Sequence, residues 1–218
     1  MGGSVTVHGG IVGIVGSWAA TAARRLAVMV TLNRIYTRTG DSGTTGYGGR
    51  GRISKNDTRL VAYAECDEAN SALGVAVAAG DLDDDVRTAV ARMQNDLFDV
   101  GADLCTPIEP DPKYPPLRVT QEQIDAVERE IDRFNEGLEP LRSFVLPGGT
   151  PGAAHLHVAR TVVRRAERAT WAALEEHRDT MNDLTAKYLN RASDLLFVLA
   201  RYANREGGDV VWVPGANR

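Results

Sequence analysis

Cysteine is nearly absent: Cys66 and Cys105 are the only two in 218 residues, too few for a disulfide framework. Both sit in helix-like apolar patterns, where a free thiol packs as a small hydrophobe, so a cytoplasmic, reducing compartment is expected. A basic excess is missing as well. The formal net charge is −4, which argues against a general nucleic-acid binder or a polybasic membrane-surface protein, because both must meet phosphates. No clean apolar run spans a bilayer. The best candidate lies in residues 1–28, where Gly13, Gly16 and Ser17 interrupt it and the positive charges follow the apolar stretch rather than precede it. Residues 1–28 are expected to be a disordered leader, or to precede a start at Met29. Strand alternation, internal repeats and a second domain also leave no trace.

What the chain does have is helical periodicity, with 43% hydrophobic residues to bury. After residue 59, Ala62, Cys66, Ala69, Leu73 and Val77 recur at helical spacing until Gly80 and an acidic run stop them. Val86, Val90, Met93, Leu97 and Val100 form a second stripe, ended by the proline-rich "TPIEPDPKYPPLRV". "TQEQIDAVEREIDRFNEGL" begins with Thr120 as a cap and closes at Gly137, giving a short helix. Residues 153–175 carry Val158, Val162, Ala166, Ala169 and Ala173 as an apolar stripe, and a last helix runs from about Asp183 to Asn204. Five helices with short joins predict an all-α, antiparallel five-helix bundle over residues 59–218.

Three features could carry chemistry. Residues 29–58 contain the glycine-rich stretch "TRTGDSGTTGYGGRGRISKND", which offers backbone N–H groups, threonine hydroxyls and the cations Arg38, Arg50, Arg52 and Lys55. Such a set can wrap a polyphosphate, although it lacks a Walker ending and by composition alone reads more readily as a flexible leader. The fourth helix carries "HVARTVVRRAERATW": Arg160, Arg164, Glu167 and Arg168 share a face away from its apolar stripe, with Arg165 to the side. A solvated basic face is the ordinary reading of that pattern. Exclusive use of arginine in an anionic protein points instead to planar, multidentate recognition of an anion. On the last helix Asn190, Asp194, Phe197 and Arg201 fall near one face, where Asn190 and Asp194 could orient an arginine or contact a ribose. Asp67, next to the core stripe of the first helix, wants a cation, and Arg160 is a candidate. His155 and His157 point in different directions on a helix, so no protein-ligated metal site is expected. No nucleophile–base arrangement stands out.

In this order the pieces "TRTGDSG" with Lys55, "YAECDEANSALG", "SFVLPGGT", "HVARTVVRRAER" and "YLNRASDLLFVLARYAN" resemble the PduO-type ATP:cob(I)alamin adenosyltransferases, from about Arg34 to the C-terminus. The resemblance implies a homotrimer with ATP and corrinoid bound where subunits meet. It implies that Thr37, Arg38, Thr39, Gly40, Thr45, Gly46 and Lys55 hold the triphosphate, and that Arg164, Arg165, Ala166, Glu167, Arg168 and Asn190 bind ATP from the helices. Asp67 and Arg160 would form an intersubunit ion pair. Phe144 would occupy the lower face of the corrin and displace its axial base. ATP with Mg²⁺ and cob(II)alamin or cob(I)alamin are the implied small molecules, and a reductase and an adenosylcobalamin-dependent mutase the implied partners, with no nucleic acid or membrane. Trp212 remains open between a corrin-covering aromatic and a buried anchor. A carrier that holds adenosylcobalamin, or a helical scaffold with an incidental basic face, are the competing classes.

Overall fold

A computed structural model describes residues 36–47 and 51–218; the expected leader, residues 1–28, lies outside the described residues. The chain divides into two compact units, Met1–Arg38 and Thr39–Arg218. Of the first, only Tyr36, Thr37 and Arg38 are described; Arg38 adopts φ 62° and its guanidinium carbon stands 5.9 Å from the centre of the Tyr36 ring.

The second unit begins with a short hairpin, β1 (Thr44–Gly46) antiparallel to β2 (Arg52–Ser54), with Thr45 opposite Ile53. Strands of three residues are too short to leave an alternation, so this hairpin is invisible to periodicity. Then come α1 (Thr58–Ala79), α2 (Asp84–Leu104), α3 (Gln121–Asn135), α4 (Pro151–His177) and α5 (Leu184–Ala203), with a 3-10 turn at Arg178–Thr180 between the last two. The expected five-helix bundle is what the described residues form. None of their helices is long and apolar enough to cross a membrane.

Helix starts follow local chemistry. Asp57 accepts from the N–H of Arg59, Gln123 accepts from the N–H of Thr120 in a capping box, and Thr150 accepts from the N–H of Ala153 ahead of Pro151. α4 sits at the centre, flanked by α1 and α5, while α2 packs on α1 and α3 on α5. Leu73, Leu156, Leu189, Leu196 and Leu199 are completely buried between these helices, each worth about 1.5–3 kcal/mol of transfer free energy. At one end the α1 and α4 backbones touch. A methyl on Gly80 would lie 2.8 Å from Cα of Gly152, and one on Gly152 would lie 2.5 Å from the Gly80 carbonyl.

Two details depart from the sequence reading. Val158, expected in the α4 stripe, is 56% exposed, because α4 buries the neighbouring line of Leu156, Ala159, Val163, Ala166 and Thr170. Arg201, expected on an outer face of α5, is buried and paired with Asp209, because α5 is covered on nearly every side.

Candidate functional site

The hairpin is tied first to itself. Arg52 donates from Nε to the Thr44 hydroxyl at 3.0 Å and from Nη2 to the carbonyls of Thr44 and Thr39. Lys55 N donates to the Gly43 carbonyl at 2.9 Å, and the Lys55 ammonium passes over Gly40. Thr39, Gly40, Thr45, Gly46 and Lys55 are therefore gathered on one small element. Thr45, Gly46 and Lys55 form one wall of an open cavity of about 700 Å³, whose other walls are Leu60, Tyr63 and Ala64 of α1 and Phe98, Gly101, Ala102 and Cys105 at the end of α2. One wall is cationic and polar, the others apolar. Burial pushes the Tyr63 hydroxyl and the Cys105 thiol up from their usual values, so both stay protonated near neutrality.

The α4 arginines divide into two kinds. Arg165 turns toward α1 and forms ion pairs with Glu65 and Glu68. Ala166 points into the core. Arg160, Arg164 and Arg168 form no ion pair among the described residues. Arg160 is half-buried and its Nε has no hydrogen-bond partner; burial and the neighbouring Arg164 both disfavour its charge. Arg160 in that condition, beside the exposed Arg164 and Arg168, favours an anion from outside the chain. Asp67 is exposed and forms no ion pair with Arg160 in this chain.

Next to this row a polar chain crosses three helices. Asn190 donates to Glu167 at 3.2 Å and accepts from Arg191 at 2.7 Å, and Arg191 in turn donates to Glu128 at 2.7 Å. Asp194, partly desolvated, is pushed up by burial, while Arg191 and Arg164 pull it back. The cavity lined by Lys55 includes no α4 arginine. Within one chain the two polar halves expected from the sequence remain apart.

A third group forms at the other end of α5. Residues 143–146 pair with 210–212: Trp212 N donates to the Phe144 carbonyl at 2.7 Å, the Ser143 hydroxyl to the Trp212 carbonyl at 2.6 Å, and Leu146 N to the Val210 carbonyl at 2.8 Å. This strap presents Phe144, 77% exposed, with the Trp212 ring centre 6.0 Å away. Trp212, left open by the sequence, is thus Phe144's neighbour and half-exposed rather than a buried anchor. Asn204 holds the strap's other end, donating to Gly148 O at 3.0 Å and accepting from Thr150 N at 2.9 Å. Arg201 holds Asp209 at 2.8 Å and the Glu139 carbonyl at 2.7 Å. Beneath lies His157, buried, with neither ring nitrogen hydrogen-bonded; burial and Arg160 lower its pKa, partly opposed by Asp209. Sequence reasoning missed Asn204, Asp209 and Arg59. The β-branched run "DVVWV" was a readable strand signal for the strap; nothing marked the other residues.

The family profile for cobalamin adenosyltransferase matches residues 35–203. The chain belongs to the cobalamin adenosyltransferase family. A corrinoid adenosyltransferase of Mycobacterium tuberculosis is 59% identical over 87% of this chain and 97% of its own length, and one from Bacillus subtilis is 36% identical over 80% and 89%. Among solved structures, a PduO-type ATP:corrinoid adenosyltransferase variant from Lactobacillus reuteri, complexed with cobalamin and ATP, superimposes with a TM-score of 0.75 at 36% identity, covering 83% of this chain and 97% of that one. An arginine-to-lysine variant from that organism, complexed with ATP, gives a TM-score of 0.70 at 34% identity, covering 82% of this chain and all of that one. The phenylalanine and the arginine substituted in those two adenosyltransferases lie twenty positions apart, the separation of Phe144 and Arg164 in this chain.

Proposed function

We propose that this chain is a corrinoid adenosyltransferase that transfers the 5′-deoxyadenosyl group of ATP to cob(I)alamin. The cobalt(I) electron pair attacks the 5′ carbon, the bond from that carbon to the triphosphate oxygen breaks, triphosphate departs with its electrons, and a cobalt–carbon bond forms. No side chain must act as nucleophile or base. The observation that carries the reading is the presence of an α4 arginine row that forms no ion pair among the described residues, together with an exposed Phe144–Trp212 apolar surface, in a member of this family.

The residues divide the task. Thr37, Arg38, Thr39, Gly40, Thr45, Gly46 and Lys55 hold the triphosphate from the hairpin side. Arg164 and Arg168, with Glu167 and Asn190, hold ATP from the helices, and the arginines stabilise charge on the departing triphosphate. Arg165 keeps α4 in register with α1 through Glu65 and Glu68. Holding cobalt and the 5′ carbon in line lowers the barrier by removing the entropy of encounter. Phe144 excludes a lower axial ligand from cobalt, which makes the reduction of cobalt(II) to cobalt(I) easier.

We place the two polar halves together across subunits of a homotrimer: Lys55 and its hairpin from one copy, Arg164 from the next, with Asp67 pairing Arg160 between them. The separation of these groups within one chain supports that arrangement. Mg²⁺ fits as a companion of the triphosphate rather than as a protein-held ion, since the described residues offer no cluster of three carboxylate, imidazole or thiol ligands; bound there it would neutralise phosphate charge. A reductase that supplies cobalt(I), an adenosylcobalamin-dependent mutase that takes the product, and a cytoplasmic setting complete the proposal.

The test is anaerobic. Protein, ATP, Mg²⁺ and chemically reduced cobalamin are mixed and the cobalt spectrum followed; adenosylcobalamin and triphosphate should appear in equal amounts. Absence of both refutes the transfer, and binding without turnover would leave a carrier.

A further inference from the structure

We propose that Arg59 is a positioning residue for the triphosphate-holding hairpin and acts through Tyr47. Arg59 lies in the first turn of α1 and is 6% exposed. Its guanidinium donates from Nη1 to the Tyr47 hydroxyl and from Nη2 to the Thr180 hydroxyl, and its carbon stands 5.8 Å from the centre of the Tyr47 ring. Nε has no hydrogen-bond partner, and no carboxylate forms an ion pair with this guanidinium among the described residues.

A buried guanidinium bonded only to neutral hydroxyls is a poor stability device, because desolvation of the charge is not offset by an opposite one. Its geometry does serve another purpose. Tyr47 directly follows β1, and its N–H donates to the Gly51 carbonyl at 3.1 Å, so the ring stands at the base of the hairpin turn. The strand ladder and Arg52 tie the hairpin to itself; Arg59 ties Tyr47, at the end of β1, to Thr180 in the 3-10 turn after α4 and to the start of α1. The fork matters: one arginine spans Tyr47 and Thr180 at once, which a lysine ammonium on a single flexible stem cannot reproduce. Thr45, Gly46 and Lys55, on the element so anchored, are the groups that the proposed function assigns to the triphosphate, and the inference rests on that reading.

The experiment uses the full chain with Tyr47→Phe and, separately, Arg59→Lys. Amide hydrogen exchange without ligand should quicken about tenfold in residues 44–54, with α2, α3 and α5 unchanged. In the anaerobic assay the KM for ATP should rise about tenfold while kcat and the KM for the corrinoid hold. Unchanged exchange in Tyr47→Phe overturns the anchor. Faster exchange with an unchanged KM for ATP overturns the positioning role and leaves the adenosyltransferase reading standing, and an Arg59→Lys variant with native exchange and KM overturns the need for the fork. If Arg59→Lys fails to fold, Tyr47→Phe, which removes one oxygen, still decides the question. Exchange reads the anchor even in a chain that transfers no adenosyl group, so the two failures are distinguishable.

Discussion

The hairpin at Thr44–Ser54 and the strap at 143–146 with 210–212 are both short paired segments outside the helices, yet they are held in opposite ways. The hairpin is polar, bonded mostly within itself, and joined to the bundle through Tyr47 and Arg59. The strap is apolar at its surface and fixed at several points: strand pairing, Asn204 on Gly148 and Thr150, and Arg201 on Asp209. Under the proposed function, the polar hairpin meets the highly charged, flexible triphosphate. A rigid macrocycle whose axial ligand must be kept away suits a surface that does not yield.

The largest break in this comparison should come from the charge side. Arg164→Ala is expected to lower turnover by about 10²–10³-fold, with the helical circular dichroism unchanged; a lost helical signal would make Arg164 structural instead. Phe144→Ala acts on the other side. It should impair the reaction begun from cob(II)alamin by tenfold or more relative to the reaction begun from pre-formed cob(I)alamin, since only the former needs the axial ligand removed; equal losses would take the wedge role from Phe144.

Asn204→Ala should make the strap as loosely held as the hairpin. It strips partners from Gly148 O and Thr150 N, at about 1–3 kcal/mol, read as a shifted denaturation midpoint with the ATP KM preserved. Gly149 reports on the same joint, since its φ of 98° disfavours a side chain and an added methyl would lie 2.2 Å from the Asn204 amide oxygen. The smallest effect belongs to His157. Its folded pKa is lowered, so the unfolded chain binds the proton more tightly, and stability present above about pH 6.5 falls as pH drops below that value. His157→Gln should flatten that part of the stability–pH profile; an unchanged slope would mean that the proton finds a partner under the strap.

Much of the bundle was legible because burial enforces a helical period. Val86, Val90, Met93, Leu97 and Val100 are all buried as their spacing implied. Val158 was misread because two neighbouring lines of α4 are both apolar and only the packing of α1 and α5 chooses between them. The Phe144–Trp212 pair joins residues sixty-eight positions apart through backbone bonds, which no local pattern encodes. Arg59 escaped notice because a lone arginine in a first turn looks like solvated surface. The split between Arg165 and its neighbours was equally hidden, since it depends on Glu65 and Glu68 of another helix.

The meeting of Gly80 with Gly152 acts as a zero mark on a ruler. With no side chain on either helix, α1 and α4 are pinned at a single axial setting, and every residue farther along is counted from it. A methyl at that mark would push one helix along or away from the other, and the displacement would be carried twelve and thirteen residues up α4 to Arg164 and Arg165. The placement of the arginine row thus depends also on the start of α4, on two residues that contribute no atom to the site.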